Sequence, residues 1–153
     1  MLWHEIILTI TSEAVFIAVS LAITLGLVIR KRPRATLFFT LSFLLTLASV
    51  SVLKVLFDVP RPPEPLIPID GYAFPSGHAA GSMFLSTALF LLLRHSRSVA
   101  PWGFFIPFLI LPALVSWTRI YFNVHTLPDV LAGTIVGFLV PFVVWYVLLY
   151  YKR

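Results

Sequence analysis

The hydrophobic positions of the chain form five long runs, separated by short polar segments. The runs cover residues 6–29, 36–57, 76–93, 99–117 and 128–150. About 20 apolar residues suffice for a helix to cross the hydrocarbon core of a bilayer, and each run approaches or exceeds this length. The pattern therefore predicts an all-α fold, a polytopic membrane bundle of five transmembrane helices.

Prolines mark the irregular parts of this pattern. The segment 58–75 contains six prolines, which forbid helix and favour an ordered, irregular loop. Pro101, Pro107 and Pro112 lie within the fourth run and predict kinks, which packed membrane helices tolerate. Pro128 suits the first turn of the fifth helix, because its missing N–H has no partner to lose there.

The composition agrees with a membrane protein and argues against a separate soluble domain and against cysteine-dependent sites. Hydrophobic residues make up 59% of the chain and charged residues 11%, against about 25% charged residues in soluble domains. The length predicts one domain, residues 1–153, with no room for a separate soluble one. Cysteine is absent, which excludes disulfides, thiolate metal sites and cysteine nucleophiles.

The basic residues are distributed unevenly between the two ends of the predicted helices. Eight of the eleven Lys and Arg lie in the segments 30–34, 94–97 and 152–153, which five spans place on one side. The positive-inside rule makes that side cytoplasmic, so we expect the N-terminus outside and the C-terminus inside. The net charge of +5 is therefore a topology signal, and we expect no nucleic-acid partner. A short polar link at 118–127 returns the chain to the outer face.

Three cations lie toward the outer face, and the orientation rule does not explain them. Lys54 lies about one turn inside the end of the second helix, Arg61 in the loop, and Arg119 at the end of the fourth helix. Charges within membrane segments are costly and usually functional. Arg donates to phosphate oxygens through two parallel bonds, and Lys acts as a point charge. Together they predict an anion site.

A short motif opens the third helix beside these cations. A helix N-terminus offers free N–H groups and a positive dipole end to an anion. Ser76 can add a hydroxyl donor, and Gly77 lets the backbone approach a ligand closely. His78 titrates near neutral pH and could protonate a leaving oxygen.

A second histidine and a carboxylate precede the fifth helix. Asp129 follows His125 by four residues, about one helical turn, so it could accept a hydrogen bond from one imidazole nitrogen. The other nitrogen would be left to attack, as in nucleophile-plus-orienter sites. Two histidines, three cations and one carboxylate suffice for metal-free phosphoryl transfer.

The combined pattern resembles the three signatures of the type 2 phosphatidic acid phosphatase (PAP2) superfamily. The first is Lys54, six residues, then Arg61-Pro62; the second is Pro75-Ser76-Gly77-His78; the third is Thr118-Arg119, five residues, His125, three residues, Asp129. The order and the internal spacings all agree. The signatures cover residues 54–129, about half of the chain.

The resemblance implies a role for each of these residues. His125 would be the nucleophile that forms a phospho-histidine, Asp129 would orient it, and His78 would be the general acid. The phosphate would be held by the remaining signature residues, which are Lys54, Arg61, Ser76, Gly77 and Arg119. The family works without a metal ion, so neither a metal site nor another cofactor is expected.

The chain departs from the family pattern at two points. The family usually has Ser at the position of Thr118, which keeps the hydroxyl and is a possible further phosphate contact. Membrane-bound members commonly have six helices, and this sequence predicts five. The absent helix would precede the signatures, so the catalytic core is expected to be intact.

The leading hypothesis is a lipid phosphate or diphosphate phosphatase in the plasma membrane, with its site at the extracytoplasmic face. Its partners would be the bilayer and a membrane lipid phosphate. The first candidate substrate is a polyprenyl diphosphate of the undecaprenyl type, followed by phosphatidylglycerophosphate, phosphatidic acid and lipid A phosphate. The alternatives are a lipid phosphotransferase on the same chemistry and a non-catalytic phospholipid-binding or transport protein.

Purely structural interpretations stand beside these roles. Lys54 could snorkel toward the interface, and the two arginines could be solvated or paired with loop carboxylates. Each histidine could be a hydrogen-bonded interfacial residue. Glu13, roughly 10 Å inside the outer boundary, could pair with a cation of the site or face a polar crevice. Gly133 and Gly137 favour close helix packing within the chain, and dimerisation is the alternative.

Overall fold

The protein is helical throughout the part that the computed structural model describes, residues 13–95 and 102–150, with side chains for 14–94 and 105–149. No strand occurs in these residues. Five α-helices follow one another there: α1 Glu13–Ile29, α2 Pro33–Phe57, α3 Gly77–His95, α4 Ile110–Tyr121 and α5 Leu127–Trp145. A 3₁₀ helix, Trp102–Leu109, precedes α4, and a π-helical turn, Tyr146–Tyr150, follows α5. The Glu13 side chain and most of the basic segments 94–97 and 152–153 lie outside the described residues.

Helix α2 carries the first cation to one end of the bundle. It begins at Pro33, three residues before the apolar run, because a proline in the first turn loses no hydrogen bond. It ends at Phe57, where Asp58 adopts a left-handed conformation with φ of 46° and donates its N–H to the Lys54 carbonyl. Lys54 therefore lies in the last turn of α2, at the edge of the following loop.

The fourth apolar run forms two helical segments and not one continuous α-helix. The segment Trp102–Leu109 is 3₁₀ and contains Pro107, and α4 follows it. Pro107 has no N–H and its ring crowds the preceding turn, so the regular α-helical ladder is interrupted there. The prediction of a polar link at 118–127 is wrong at its start, because Thr118 and Arg119 belong to the last turns of α4.

Helices α3 and α5 pack with their backbones almost in contact. A Cβ atom at Gly133 would overlap the Ser76 carbonyl oxygen, and one at Gly137 would overlap the Ala80 carbonyl oxygen. Only glycine fits at so close an approach. The expectation that this glycine pair packs within the chain is confirmed. The contact fixes the N-terminus of α3 against the start of α5.

An aromatic core fills the bundle between the site end and the opposite end. The Phe39 and Phe84 rings lie 5.2 Å apart, and those of Phe90 and Phe105 lie 4.9 Å apart. Both separations suit the tilted ring pairs that aromatic quadrupoles favour. Through these ring contacts, α2, α3 and the 3₁₀ helix pack together as one unit.

The outer surface of the bundle is apolar, as a membrane protein requires. Val55, Leu56 and Ile29 are among many large apolar side chains that stand exposed. Two segments are long and apolar enough to cross a bilayer, Pro33–Phe57 and Leu127–Leu149, and two apolar segments are shorter, Ala14–Ile29 and Phe105–Tyr121. The all-helical membrane fold agrees with the sequence prediction.

Candidate active site

Two irregular segments meet at the end of the bundle where α2 ends and α3 begins. They are the proline-rich loop and the link between α4 and α5. The Leu66 N–H donates to the Phe122 carbonyl at 3.0 Å, and the Asn123 side-chain amide donates to the Pro63 carbonyl at 2.7 Å. These bonds order a segment that cannot form helix, and they hold it over the α4–α5 link.

The Lys54 ammonium points into this meeting place. Its Nζ donates to the Tyr72 carbonyl at 2.6 Å, so the amine is drawn toward the loop. The Tyr72 phenol donates to the Asp58 carboxylate, and this hydrogen bond and the nearby negative charge raise the pKa of Tyr72. Asp58 is thereby engaged by a neutral phenol, beside the helix end that carries Lys54.

The Arg61 guanidinium connects the loop to the α4–α5 link through backbone carbonyls. Nε and Nη2 donate at 3.0 Å to the Gly71 and Asp70 carbonyls, and Nη1 donates at 3.0 Å to the Val124 carbonyl. Nη1 also lies 3.4 Å from Nε2 of His125. The contact with Asp70 is therefore to its carbonyl, and the guanidinium is fixed beside the imidazole.

His125 lies in the link and not on the helix, which corrects the expected geometry of its pair with Asp129. Helix α5 begins at Leu127 with Thr126 as its N-cap, so no helical turn joins the two residues. The Asp129 Oδ2 atom lies 3.7 Å from the His125 Nδ1 atom, beyond hydrogen-bond distance. Oδ2 accepts instead from the Thr126 N–H at 2.7 Å.

The His125 Nδ1 atom is consequently buried without a hydrogen-bond partner among the described residues. A buried polar atom without a partner is costly, and such atoms in native structures often belong to sites with a chemical role. A small movement of the imidazole or the carboxylate would close the gap of 3.7 Å. The predicted orienting hydrogen bond between His125 and Asp129 is therefore not formed in this structure, although the two side chains lie close to each other.

The start of α3 lies against the start of α5. The Ser76 N–H donates to the Asp129 carbonyl at 2.9 Å, which joins the second and third signatures through the backbone. The Ser76 side chain is fully buried, and its Oγ accepts from the Ala79 N–H at 3.4 Å. His78, in the first turn, is buried and experiences the charges of all three cations and of His125. Gly77 lies between Ser76 and His78 and shares a cleft wall with Lys54.

Arg119 lies at the base of the site and is only 2% exposed. Its Nε donates to the Thr118 hydroxyl at 3.3 Å, and that hydroxyl donates to the Val115 carbonyl at 2.7 Å. A buried guanidinium is costly unless it is bonded on several sides. The Thr118 hydroxyl therefore contacts the Arg119 guanidinium, whereas the sequence suggested it as a possible phosphate contact.

The electrostatic environment keeps His125 neutral. Burial, together with the positive charges of Arg61, Lys54 and Arg119, lowers the pKa of His125 to about 3, and a hydrogen bond with the Ala73 backbone offsets part of this effect. Burial and the cations act in the same direction because a buried imidazolium beside positive charges is unfavourable. At neutral pH the ring therefore keeps a lone pair, and the site carries an excess of positive charge.

The arrangement can bind a phosphate and attack it. A dianion would offset the charges of Lys54, Arg61 and Arg119, and an uncharged imidazole nitrogen lies beside one of them. Buried hydrogen-bond donors that face developing negative charge are the principal source of stabilisation in phosphoryl transfer. Among the described residues, no group of three His, Cys, Asp or Glu side chains is placed to hold a metal ion.

Several contacts at the site were missed in the sequence. The carbonyls of Tyr72, Asp70 and Val124 leave no trace in side-chain chemistry, so no sequence pattern reveals them. The Thr126 N–H bond to Asp129 did have a signal, since Thr-x-x-Asp before an apolar run is a capping-box pattern. The pattern predicts that the Thr126 N–H and the His125 imidazole compete for the Asp129 carboxylate, which was expected to bind His125 alone.

Comparisons with known proteins show a family for the chain and solved structures of similar fold. The model of the PAP2 superfamily matches residues 35–153. Among solved structures the chain is similar in fold to LpxE from Aquifex aeolicus, with 22% identity and a TM-score of 0.72 over 94% of this chain and 83% of that one. It is also similar to the transmembrane PAP2 type phosphatidylglycerolphosphate phosphatase from Bacillus subtilis, with 25% identity and a TM-score of 0.73 over 92% and 73%. A search of curated proteins gives no match.

Proposed function

The chain belongs to the PAP2 superfamily and is a phosphatase, and we propose that it cleaves lipid phosphates or diphosphates through a phospho-histidine intermediate. One observation carries the proposal. His125 is buried between a guanidinium, 3.4 Å from Nε2, and a carboxylate, 3.7 Å from Nδ1. A neutral imidazole between an anion-binding group and an orienting acid is suited to nucleophilic attack on phosphorus.

In the first step His125 Nε2 attacks the phosphorus atom, and the bond from phosphorus to the lipid oxygen breaks. His78 gives its proton to the departing oxygen, so the lipid leaves as an alcohol or as a monophosphate. Asp129 accepts a hydrogen bond from the Nδ1–H of the positively charged phospho-imidazole once the gap between them has closed, and the proton stays on Nδ1. The Arg61 N–H that faces Nε2 in the free site turns to a phosphate oxygen.

In the second step water attacks the phospho-histidine. His78, now neutral, takes a proton from that water while the bond from phosphorus to Nε2 breaks. Inorganic phosphate leaves, and both histidines return to their starting states. The negative charge on the phosphoryl oxygens is balanced throughout by the phosphate-binding set, which is Lys54, Arg61, Ser76, Gly77 and Arg119.

We propose that the substrate is a lipid with a small phosphate or diphosphate head. The described connections between the helices form no separate domain that would recognise a large headgroup, which favours a small head. A polyprenyl diphosphate of the undecaprenyl type is the first candidate. Phosphatidylglycerolphosphate, named for the Bacillus subtilis neighbour, is the second, and phosphatidic acid the third.

The site is proposed to lie at the outer face of a plasma membrane. In this proposal residues 1–153 form one domain that crosses the bilayer five times, with the N-terminus outside. The asymmetry of the basic residues supports it, since eight of the eleven Lys and Arg would lie inside. The position of Lys54 and Arg61 at the end of α2 opposite the basic turn 30–34 supports it as well.

Trapping the intermediate tests the mechanism. Wild type and His125→Gln are mixed briefly with a radiolabelled lipid phosphate, quenched in alkali, in which phospho-histidine survives, and digested for mass spectrometry. We expect the label on the peptide that contains His125, and none in the variant. A label on another residue, or turnover by the variant, would refute the proposed nucleophile.

A further inference from the structure

A cleft lies at the end of the bundle opposite the candidate active site, where α1 turns into α2. It has a volume of about 690 Å³, within the range of small-molecule sites, and Val28 of α1 and Leu37 of α2 are among the residues that line it. Helix α2 runs from Pro33 at this end to Lys54 near the other, a distance of about 30 Å at the rise of an α-helix. The cleft is therefore separate from the candidate phosphate-binding residues.

Two of the four cations in the turn between α1 and α2 line this cleft. The turn contains Arg30, Lys31, Arg32 and Arg34, and all four side chains are exposed. Lys31 and Arg32 belong to the lining of the cleft, whereas Arg30 and Arg34 do not. The cleft thus has a cationic end that is distinct from the rest of the basic turn.

The backbone of the turn fixes these two cations relative to the cleft. Lys31 adopts a left-handed conformation with φ of 51°, and its N–H donates to the Val28 carbonyl at 2.9 Å. The Arg32 N–H donates to the Leu27 carbonyl at 3.1 Å, which completes a Schellman motif at the end of α1. The Thr36 hydroxyl donates to the Arg32 carbonyl at 3.0 Å and joins the first turns of α2 to that motif. The two charged side chains therefore extend from an ordered backbone.

No acidic residue competes for these cations in the part of the sequence that forms the cleft. The chain contains no Asp or Glu between Glu13 and Asp58. The described carboxylates that follow, Glu64, Asp70 and Asp129, belong to the loop and the helix start at the opposite end of the bundle. An anion from outside the chain would therefore meet positive charge here without a competing carboxylate.

Beyond the cations, the walls of the cleft are largely apolar. Val28 and Leu37 are each 55% exposed, so both offer apolar surface that the fold leaves uncovered. The Thr36 hydroxyl is already bonded within the chain, at 3.0 Å from the Arg32 carbonyl. A free inorganic anion would use the cations alone, whereas an amphiphile with an anionic head would use the apolar walls as well.

We propose that this cleft binds an anionic phospholipid of the bilayer, with its phosphate at Lys31 and Arg32 and one acyl chain against Val28 and Leu37. Both cations donate charge-assisted hydrogen bonds to phosphate oxygens, and each basic residue near a membrane surface strengthens the attraction to anionic lipid. The bound lipid is a component of the surrounding membrane and not the substrate. The inference therefore does not rest on the proposed function.

The test measures lipid binding to the purified protein by native mass spectrometry. The protein is titrated in detergent with dioleoyl phosphatidylglycerol and with dioleoyl phosphatidylcholine, which share their chains and differ in the charge of the head. One double variant, Lys31→Gln with Arg32→Gln, removes both cations of the cleft. The matched control, Arg30→Gln with Arg34→Gln, removes the same charge from the same turn outside the cleft.

We expect the dissociation constant of wild type for phosphatidylglycerol to be about tenfold lower than for phosphatidylcholine, because only the former has a net negative head. The cleft variant should raise the value for phosphatidylglycerol about tenfold and leave that for phosphatidylcholine within about twofold. The control variant should change either value by less than about threefold. All four substituted side chains are exposed, so the variants should fold as wild type does.

Equal losses in the two double variants would show a diffuse attraction to the basic turn and would overturn the cleft as a binding site. Equal affinity of wild type for the two lipids, or no loss in the cleft variant, would overturn it as well. A third variant, Lys54→Gln, reports on binding at the opposite end of the bundle. Loss of phosphatidylglycerol in that variant alone would place the lipid at the candidate active site and would contradict the proposal.

Discussion

His125 is buried near three cations and one carboxylate, and these neighbours decide the charge of its imidazole. The cations and the burial keep the imidazole neutral in the empty site, with its pKa lowered to about 3. A phosphate dianion would reverse part of that effect, because it screens the cations that oppose protonation. In the proposed mechanism, the cations that would bind the phosphate therefore also keep the imidazole neutral before the phosphate arrives.

The lowered pKa of His125 predicts a loss of stability on acidification. Above about pH 6.5 the ring is neutral in the folded and unfolded chains, and below it the unfolded chain takes up a proton that the folded site refuses. This contribution to stability therefore falls as pH drops from about 6.5 toward 3. Thermal unfolding in detergent between about pH 7.5 and pH 5 should show a steeper decline for wild type than for His125→Gln. Equal slopes would contradict the neutral, buried imidazole.

Thr118 is predicted to act on catalysis through Arg119. Thr118→Val keeps the shape but removes the hydroxyl that accepts from the Arg119 Nε at 3.3 Å. A lost hydrogen bond to a charged group is worth roughly 1.5–3 kcal/mol, so kcat/KM should fall about tenfold to a hundredfold. Thr118→Ser keeps the hydroxyl and should retain most of the activity. Equal effects of the two substitutions would show that the hydroxyl is not what matters.

At the scale of elements, the contact between α3 and α5 positions the site. Gly133 brings α5 against the Ser76 carbonyl, and the Ser76 N–H reaches the Asp129 carbonyl at 2.9 Å. His78 and the turn that contains Ser76 and Gly77 are thus fixed relative to the Asp129 carboxylate by two helix backbones. No flexible side chain intervenes, so displacement of one helix displaces the whole constellation.

Gly133→Ala should therefore reduce both stability and activity. The added methyl overlaps the Ser76 carbonyl, and overpacking of this kind costs about 1–3 kcal/mol of unfolding free energy. Unfolding in a detergent series and initial phosphatase rates measure the two effects. Gly26→Ala is the control: it meets no atom within 4 Å and should be neutral or slightly stabilising. Wild-type activity in Gly133→Ala would mean that the helix contact does not set the site.

Helix ends and spacings that depend on local chemistry could be read from the sequence. Pro128 in the first turn of α5 and the position of Lys54 near the end of α2 follow from proline geometry and from the limit of the apolar run. The 3₁₀ segment before α4 could not be foreseen, because a proline in an apolar run is compatible with a kinked α-helix and also with a change to a 3₁₀ helix. The distance from His125 to Asp129 depends on a turn stabilised by Thr126, where tertiary contacts decide.

At the scale of the whole molecule, the candidate phosphate-binding residues lie at one end of the bundle and the basic turn 30–34 lies at the other end. The apolar flanks between them are consistent with a bilayer. A lipid phosphate suits this division, since its head and chain require the two environments at once. Water and phosphate would exchange only at the site end.

The proposed orientation can be tested because the chain has no cysteine. Single cysteines are introduced at two exposed positions, Leu66→Cys in the loop and Lys31→Cys in the basic turn. A membrane-impermeant maleimide added to intact cells should label the first and spare the second, which should react only after lysis. The reverse pattern would place the site on the cytoplasmic face.

Phosphate release in the absence of metal ions is the decisive measurement of the proposed histidine chemistry on a lipid phosphate. Purified wild type and His125→Ala are incubated in detergent with EDTA and a panel of polyprenyl diphosphate, phosphatidylglycerophosphate and phosphatidic acid. We expect release by wild type from at least one of these lipids and loss of release by several orders of magnitude in the variant. No release by wild type from any lipid, or undiminished release by His125→Ala, would contradict it.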